Sequence, residues 1–328
     1  MTTNVTTRSR DKNTSGLRGL LPVALGTLVP AENLDFNLYM PAGNGRPTLF
    51  RGRHYPLRQE DINRLIQGNV NTLYIKIAEH EAYCEYLRDV VLSDPNLSPE
   101  CRASVLAAVN RAAFESAFGS RDSGRYLDFA KSFGEELADV ICGNDVALRE
   151  LSCLMKHDYY TYTHVVNVTI YCITLAAALG YKDHDILRQI SIGGLLHDYG
   201  KRFTSPQILN FPGRLSEEQF WEIQRHPHDG FCQFADRESL DWGQLMMIYQ
   251  HHERPDGKGY PVGVGGDDIH PWARICKVSD VFDALTSDRP YRKADSQERV
   301  LEFMGKKTGA EFDEEVFQCF QAMIDCKN

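Results

Sequence analysis

No stretch of this 328-residue chain approaches 18 consecutive apolar residues, so a transmembrane helix is not expected. Positive charge is scarce. The 36 Lys and Arg stand against 45 Asp and Glu, a formal net charge of −9. That argues against a protein that coats a nucleic-acid polymer, because phosphate binding needs clustered positive charge. A small anionic substrate is not excluded, since bound metal ions would set the local field. None of the nine cysteines sits in a Cys-x-x-Cys pair, and their number is odd. Reduced thiols in a cytosol, several simply packed in cores, fit that pattern. Residues 17–31 have arginines ahead of a short apolar run, as in an export signal, but Pro22 and Gly26 interrupt it. A cytoplasmic location is expected. There is no internal repeat.

What is present changes character near Glu79. Residues 1–31 begin with Thr, Ser, Asn and charge and predict a disordered tail, with order starting near Glu32. Leu34, Phe36, Leu38 and Met40 alternate with polar neighbours as a strand does, Asn44–Gly45 signals a turn, and Pro47–Arg51 returns as its partner. A helix is expected from about Arg58 to Gln67, then a third strand through Leu73, Ile75 and Ile77. Residues 32–78 thus predict a small ββαβ module without a ligand cluster or phosphate loop, suited to docking or regulation. Residues 79–145 predict a helical connector with its best break at Gly119–Gly124, and 146–328 predict helices alone. The expected fold is mainly α, a helical bundle with a small N-terminal α+β module. Ser216-x-x-Gln219, Asp241-x-x-Gln244 and Asp295-x-x-Glu298 are capping boxes, with purely structural roles.

The chemistry gathers around His197–Asp198, at the end of the Asp185–His197 helix. A carboxylate has two oxygens, so Asp198 can bridge two metal ions. His164, His226, His251, His252 and Asp280 supply enough further ligands for a two-metal centre. Imidazole suits zinc, iron and nickel while carboxylate suits harder ions, so the mixture points to iron or manganese. Gly193–Gly194 inside the helix costs about 1 kcal/mol per residue relative to alanine. A neighbour packed very close to that backbone would offset it. Gly200 is available for a left-handed exit, and Lys201 would point toward whatever the metals bind. Tyr260 sits between a permissive Gly259 and a rigid Pro261, which suits a ring held in one orientation. Asp280 and Asp283 share a helix face; Asp280 is the better ligand, and Asp283 the better residue to orient one from behind. Arg289, Arg292 and Lys293 form a cationic cluster suited to phosphate.

These motifs resemble a known family. His197–Asp198-x-Gly200–Lys201, His226–Pro227-x-x-Gly230, His251–His252–Glu253 with Gly259–Tyr260–Pro261, and Asp280-x-x-Asp283 running on to Arg289–Pro290–Tyr291 are similar to the HD-GYP domain of bacterial cyclic-di-GMP phosphodiesterases. The resemblance covers roughly residues 150–328. It implies a helical bundle around a metal centre, commonly di-iron. It implies His164, His197, Asp198 and Asp280 at one ion, and His226, His251 and His252 at the other, with Asp198 bridging. It implies that Lys201 meets the scissile phosphate, that Tyr260 lies near the substrate in the Gly259–Tyr260–Pro261 loop, and that Arg289 and Arg292 contact substrate phosphates; Asp283 is grouped with these substrate-side residues. Some family members hold a third metal through a glutamate one turn before the first histidine. Here that position is Tyr160, a neutral phenol, and two metals are expected. Arg202–Phe203–Thr204–Ser205–Pro206 departs from the family's Ile-Gly-Ile-Pro-Asp on the substrate side.

The expected activity is hydrolysis of cyclic-di-GMP to pGpG, and on to GMP if a second cut follows, by a hydroxide held between the metals. The rival readings are a non-catalytic cyclic-di-GMP receptor and a phosphohydrolase for another cyclic dinucleotide or nucleotide. The partner set is the cyclic dinucleotide, with a protein docking on the N-terminal module and a second copy of the chain left open.

Overall fold

The computed structural model describes residues 20–30, 33–41, 47–68, 70, 72–91, 99–142, 161–288 and 293–325. The chain divides into two compact units, Met1–Val109 and Asn110–Asn328. Among the described residues, no helix is long and apolar enough to cross a membrane.

The first unit is a four-stranded antiparallel sheet of β1 (Leu20–Ala24), β2 (Leu38–Pro41), β3 (Pro47–Arg51) and β4 (Thr72–Lys76), in the order β1-β4-β2-β3. Helix α1 (Gln59–Gln67) connects β3 to β4, buries Ile62 and Leu65, and leaves Ile66 exposed. Strand β1 corrects the expectation of a tail over 1–31. The apolar run that resembles an export signal is an edge strand, where Pro22 costs no interior ladder bond and Val23 is fully buried. The unit also extends beyond residue 78. Helix α2 (His80–Tyr86) and the wider turn Leu87–Val91 send Tyr83, Tyr86, Leu87 and Val91 into the same core as Phe36 and Ile75. Phe36 meets Tyr83 and Tyr86 edge to face, at 5.3 and 5.5 Å. The start of the predicted connector therefore belongs to the first hydrophobic core, which also includes Val105 and Val109 of α3 (Pro99–Gly119).

The second unit is helical: α4 (Ser123–Cys142), α5 (Thr161–Ala178), α6 (His184–Leu196), α7 (Pro206–Leu209), α8 (Glu217–Gln224), α9 (His226–Phe234), α10 (Trp242–Gln250), α11 (Pro271–Thr286), α12 (Gln297–Gly305) and α13 (Glu314–Asp325). Helix α6 is central, packed against α4, α5 and α10. Its paired glycines explain how. A Cβ on Gly193 would fall 2.4 Å from Met247 Sδ of α10, and one on Gly194 would fall 2.9 Å from Thr169 Oγ1 of α5. The close neighbour that the sequence asks for is thus two helices, one on each glycine. Ser216 and Asp241 cap α8 and α10 with the reciprocal bonds of their boxes. The cap of α12 is Ser296, one residue later than expected, and it accepts from Arg299 N.

Candidate metal centre

Three histidines of the centre emerge where a helix stops. His197 follows α6, His226 follows α8 and opens α9, and His251 follows α10. The last carbonyls of a helix lack intrahelical donors. His197 Nδ1 gives its proton to Gly194 O at 2.7 Å, His226 Nδ1 to Ile223 O at 2.8 Å, and His251 Nδ1 to Met247 O at 2.9 Å. With the proton on Nδ1, each Nε2 is left as a lone pair aimed inward. His164 is held differently. Its Nδ1 meets Asp283 Oδ2 at 2.7 Å, and Asp283 Oδ1 accepts from Asn167 at 2.8 Å.

Asp198 stands between the two halves. Its Oδ2 lies 3.4 Å from His164 Nε2 and 3.5 Å from His197 Nε2, while its Oδ1 lies 3.4 Å from His226 Nε2 and 3.9 Å from His251 Nε2. Asp280 Oδ1 is 3.2 Å from His164 Nε2. Two donor sets result, His164–His197–Asp280 and Asp198–His226–His251–His252, each with its ligand atoms within 4.8 Å of one another. Lys201 Nζ donates to Asp198 Oδ2 at 2.5 Å.

A divalent cation fits this donor set on two observations. The buried His197 Nε2 and Asp198 Oδ1 have no hydrogen-bond partner among the described residues. His226 Nε2 and His251 Nε2 lie 3.1 Å apart, although both rings spend their Nδ1 protons on backbone carbonyls. Two imidazole lone pairs at that distance repel unless a cation accepts both.

The electrostatics follow the same division. Burial alone would raise Asp198, yet Lys201, His197, His164 and His226 hold it well below the usual carboxylate range. Burial would likewise raise Asp280, but His164 and His252 hold it well below. Burial would depress His164, yet Asp198, Asp280 and Asp283 hold it well above its ordinary value. Burial lowers His197, and burial with the neighbouring histidines pushes His251 and His252 well down. Those rings are neutral and available as donors.

The structure gathers all seven expected ligand residues and places Lys201 beside them. The Tyr260 ring stacks on His252 at 4.7 Å and an interplanar angle of 24°. Gly259 is needed there for room, since a Cβ would fall 2.4 Å from Glu253 Cα. Gly200 also differs from expectation: it is not among the residues of positive φ. A Cβ there would lie 1.9 Å from His226 O, so this glycine lets the turn carrying Lys201 rest directly on α9. Asp283 is fully buried against His164 and Asn167, which corrects its grouping with the substrate contacts. Arg289, Arg292, Tyr160 and Asp158 lie outside the described residues. His228 faces away, with its side chain 57% exposed, and His270 caps α11 by accepting from Trp272 N.

Sequence reasoning missed two supports. Asn167 sits one turn after His164 on α5, and that spacing was the available signal. Glu253 is fully buried and accepts from Val262 N at 2.8 Å and Gly263 N at 3.0 Å, which fastens the Tyr260 loop. Lys277 is buried as well, donates to His252 O at 3.3 Å, and is brought down by burial to about 8.

The family model described as HD domain matches residues 137–316. The chain belongs to the HD domain family and, with its Gly259–Tyr260–Pro261 loop beside the paired histidines, to the HD-GYP branch of it. It is 36% identical over 220 residues to the cyclic di-GMP phosphodiesterase PA4108 of Pseudomonas aeruginosa, covering 66% of this chain and 53% of that one. It is 36% identical over 162 residues to the 3'3'-cGAMP-specific phosphodiesterase 1 of Vibrio cholerae, covering 48% of this chain and 36% of that one. It is also 36% identical over 152 residues to the cyclic di-GMP phosphodiesterase response regulator RpfG of Xanthomonas campestris, covering 46% and 39%. The chain thus spans about half or less of the length of these relatives. Among solved structures, its fold is similar to Bd1817, an HDG"Y"P protein from Bdellovibrio bacteriovorus, with a TM-score of 0.64 and 22% identity over 93% of this chain and 99% of that one.

Proposed function

We propose that the protein is a metal-dependent phosphodiesterase that hydrolyses cyclic-di-GMP to pGpG. The observation that carries this reading is the split of Asp198, with one oxygen toward His164 and His197 and the other toward His226 and His251. His164, His197, Asp280 and Asp198 would hold one divalent ion; Asp198, His226, His251 and His252 would hold the second. The mixed imidazole and carboxylate donors favour iron, with manganese as the alternative. When bound, such ions act as Lewis acids on the phosphoryl oxygens and lower the pKa of water.

The chain's own residues do the rest. Lys201 is an ammonium held beside Asp198, where it would meet a phosphate oxygen and offset charge that builds on it during displacement. Asp283 and Asn167 keep His164 in one ring orientation. Glu253 holds the loop so that Tyr260 covers His252 and limits water on that side. Arg289 and Arg292 are proposed as contacts to the substrate phosphates. A cytoplasmic setting accompanies the reading, in keeping with six free cysteines among the described residues. The first unit is proposed as the point where a protein partner docks.

A second reading, a preference for 3'3'-cGAMP, is favoured by a relative of equal identity that carries that name. One experiment separates the readings. Purified, metal-loaded protein is incubated with cyclic-di-GMP and with 3'3'-cGAMP, and the products are resolved by chromatography. Linear pGpG is the expected product. Both dinucleotides remaining intact, with metal bound, would leave only a receptor role.

A further inference from the structure

A pocket of about 360 Å³ opens beside the first donor set. Its lining includes His164, Asp198 and Lys201 of the centre together with Phe118, Arg202, Pro206, Leu209 and Asn210. Its lining combines three chemistries: charge at the buried His164 and Asp198 and at Lys201, ring and hydrocarbon at Phe118, Pro206 and Leu209, and an amide at the exposed Asn210. A nucleotide carries the matching three: phosphate, sugar and ring face, and a polar base edge. The volume is near the low end of small-molecule pockets, roughly 300–1,000 Å³. That suits one nucleoside arm and not a whole cyclic dinucleotide. Tyr260 belongs to the other donor set, against His252 and His226.

The wall is rigid. The Phe118 ring stacks on Phe114 at 5.2 Å and meets Tyr126 and Tyr199 edge on. Arg202, which departs from the family pattern, lines the pocket with its guanidinium already engaged. Its guanidinium bonds to the Tyr199 hydroxyl and to Ser120 O, and it lies over the Tyr199 ring at 4.9 Å. It fastens the turn that forms the wall. Asn210 Nδ2 donates to Pro206 O at 2.9 Å, which fixes the amide plane and turns its oxygen into an acceptor at the rim. An acceptor there favours a purine edge rich in donors, such as the N1–H and N2–H₂ of guanine.

We propose that this pocket is the nucleoside subsite, in which Phe118, Pro206 and Leu209 pack a guanine ring and Asn210 accepts from its edge. The proposal rests on the phosphodiesterase reading and adds a determinant of base preference. Phe118 supplies a fixed aromatic face of the kind that holds bases in sequence-tolerant sites. Asn210 supplies the selectivity.

The test uses the full, metal-loaded chain with Asn210→Ala, which sits at an exposed position just after α7, and Phe118→Leu, which keeps apolar volume. The probes are cyclic-di-GMP, the base-free diester bis(p-nitrophenyl) phosphate, and GMP titrated calorimetrically. The ratio of kcat/KM for cyclic-di-GMP to that for the base-free diester is expected to fall about fivefold to tenfold in each variant. GMP affinity should fall by a similar factor. An unchanged ratio together with unchanged GMP affinity would overturn the subsite while leaving the phosphodiesterase reading intact. If the parent cleaves only the base-free diester, the substrate reading falls. The titration then still decides the subsite: weaker GMP binding in both variants supports it, and equal binding or no binding overturns it. Thermal melts of both variants confirm that they are folded.

Discussion

In the unit that ends at Val109, the buried side chains among the described residues are hydrocarbon, aromatic and one thiol, whereas every buried Ser, Thr, Asn, Gln, His, Asp, Glu or Lys lies in the unit that begins at Asn110. The first unit gains its stability from apolar transfer, with two tyrosine hydroxyl bonds and the part-buried pairs Asn37–Glu79 and Arg51–Asp61 beside its core. The second buries His164, His197, Asp198, His226, His251 and Asp280 around one point. Burying charged groups is costly unless they are paired. A fold keeps such a cluster for what it does, and the contrast locates the chemistry without reference to any motif.

The contrast can be broken most severely at Asp198. Asp198→Ala removes the carboxylate shared by both donor sets. Turnover of cyclic-di-GMP should fall on the order of a thousandfold or more, and bound metal measured by elemental analysis should fall with it. Retention of both would refute the assignment. Gly200→Ala attacks the packing instead, since the new Cβ would collide with the backbone of His226. Urea denaturation should show the second unit destabilised by about 3 kcal/mol. Asp283→Ala leaves His164 without its clamp, and metal affinity should drop roughly 10- to 100-fold while the fold persists by circular dichroism.

Acid should also act on one unit only. An unfolded histidine titrates near 6.5. His197, His251 and His252 are held below that by burial, so as pH falls through about 6.5 the unfolded chain takes up protons that the folded chain refuses. Their contribution is therefore lost toward low pH. His164 is held above its ordinary value and works in the opposite direction, contributing fully below about 6.5. Asp198 and Asp280 are held well below the carboxylate range and lose their contribution only in stronger acid. Three histidines against one leave a net loss between about pH 7 and pH 5. In chelator-treated protein, calorimetry should show the second unit's transition moving down by several degrees, at roughly 2–4 °C per kcal/mol, with the first nearly still. Equal movement of both transitions would contradict this. The smallest effect is Tyr86→Phe, which removes the oxygen bound to Val29 N at 2.7 Å. The first transition alone should weaken, by about 1 kcal/mol, without a change in turnover.

How much of this was legible depended on whether the signal was local. The residues of the candidate centre were legible because His197, His251 and His252 fall at helix ends marked by glycine and proline nearby, and Asp280, with Asp283 behind His164, by their spacing on one helix. The role of Gly193–Gly194 was legible as a demand for close packing, although which helices met it was not. Strand β1 was hidden because Pro22 and Gly26 suggest interruption; pairing with the distant β4 accommodates Pro22, and Gly26 falls beyond the strand in the turn Leu25–Thr27. The extent of the first unit was missed because α2 reads as one more helix, and its tyrosines declare their side only once Phe36 is beside them. Gly200 was misread as a conformational need. Its constraint comes from His226, 26 positions along, and no local pattern carries that.

The Nδ1 bonds of His197, His226 and His251 have a consequence in time. Each ring is tied to a carbonyl of the helix turn that precedes it. Ring orientation and the closing of that turn are therefore one event, and the donors are aimed as soon as α6, α8 and α10 are complete. Fraying runs the same way in reverse. The opening rate of those three last turns, readable by amide hydrogen exchange, sets an upper limit on how long the centre can keep its geometry between one excursion and the next.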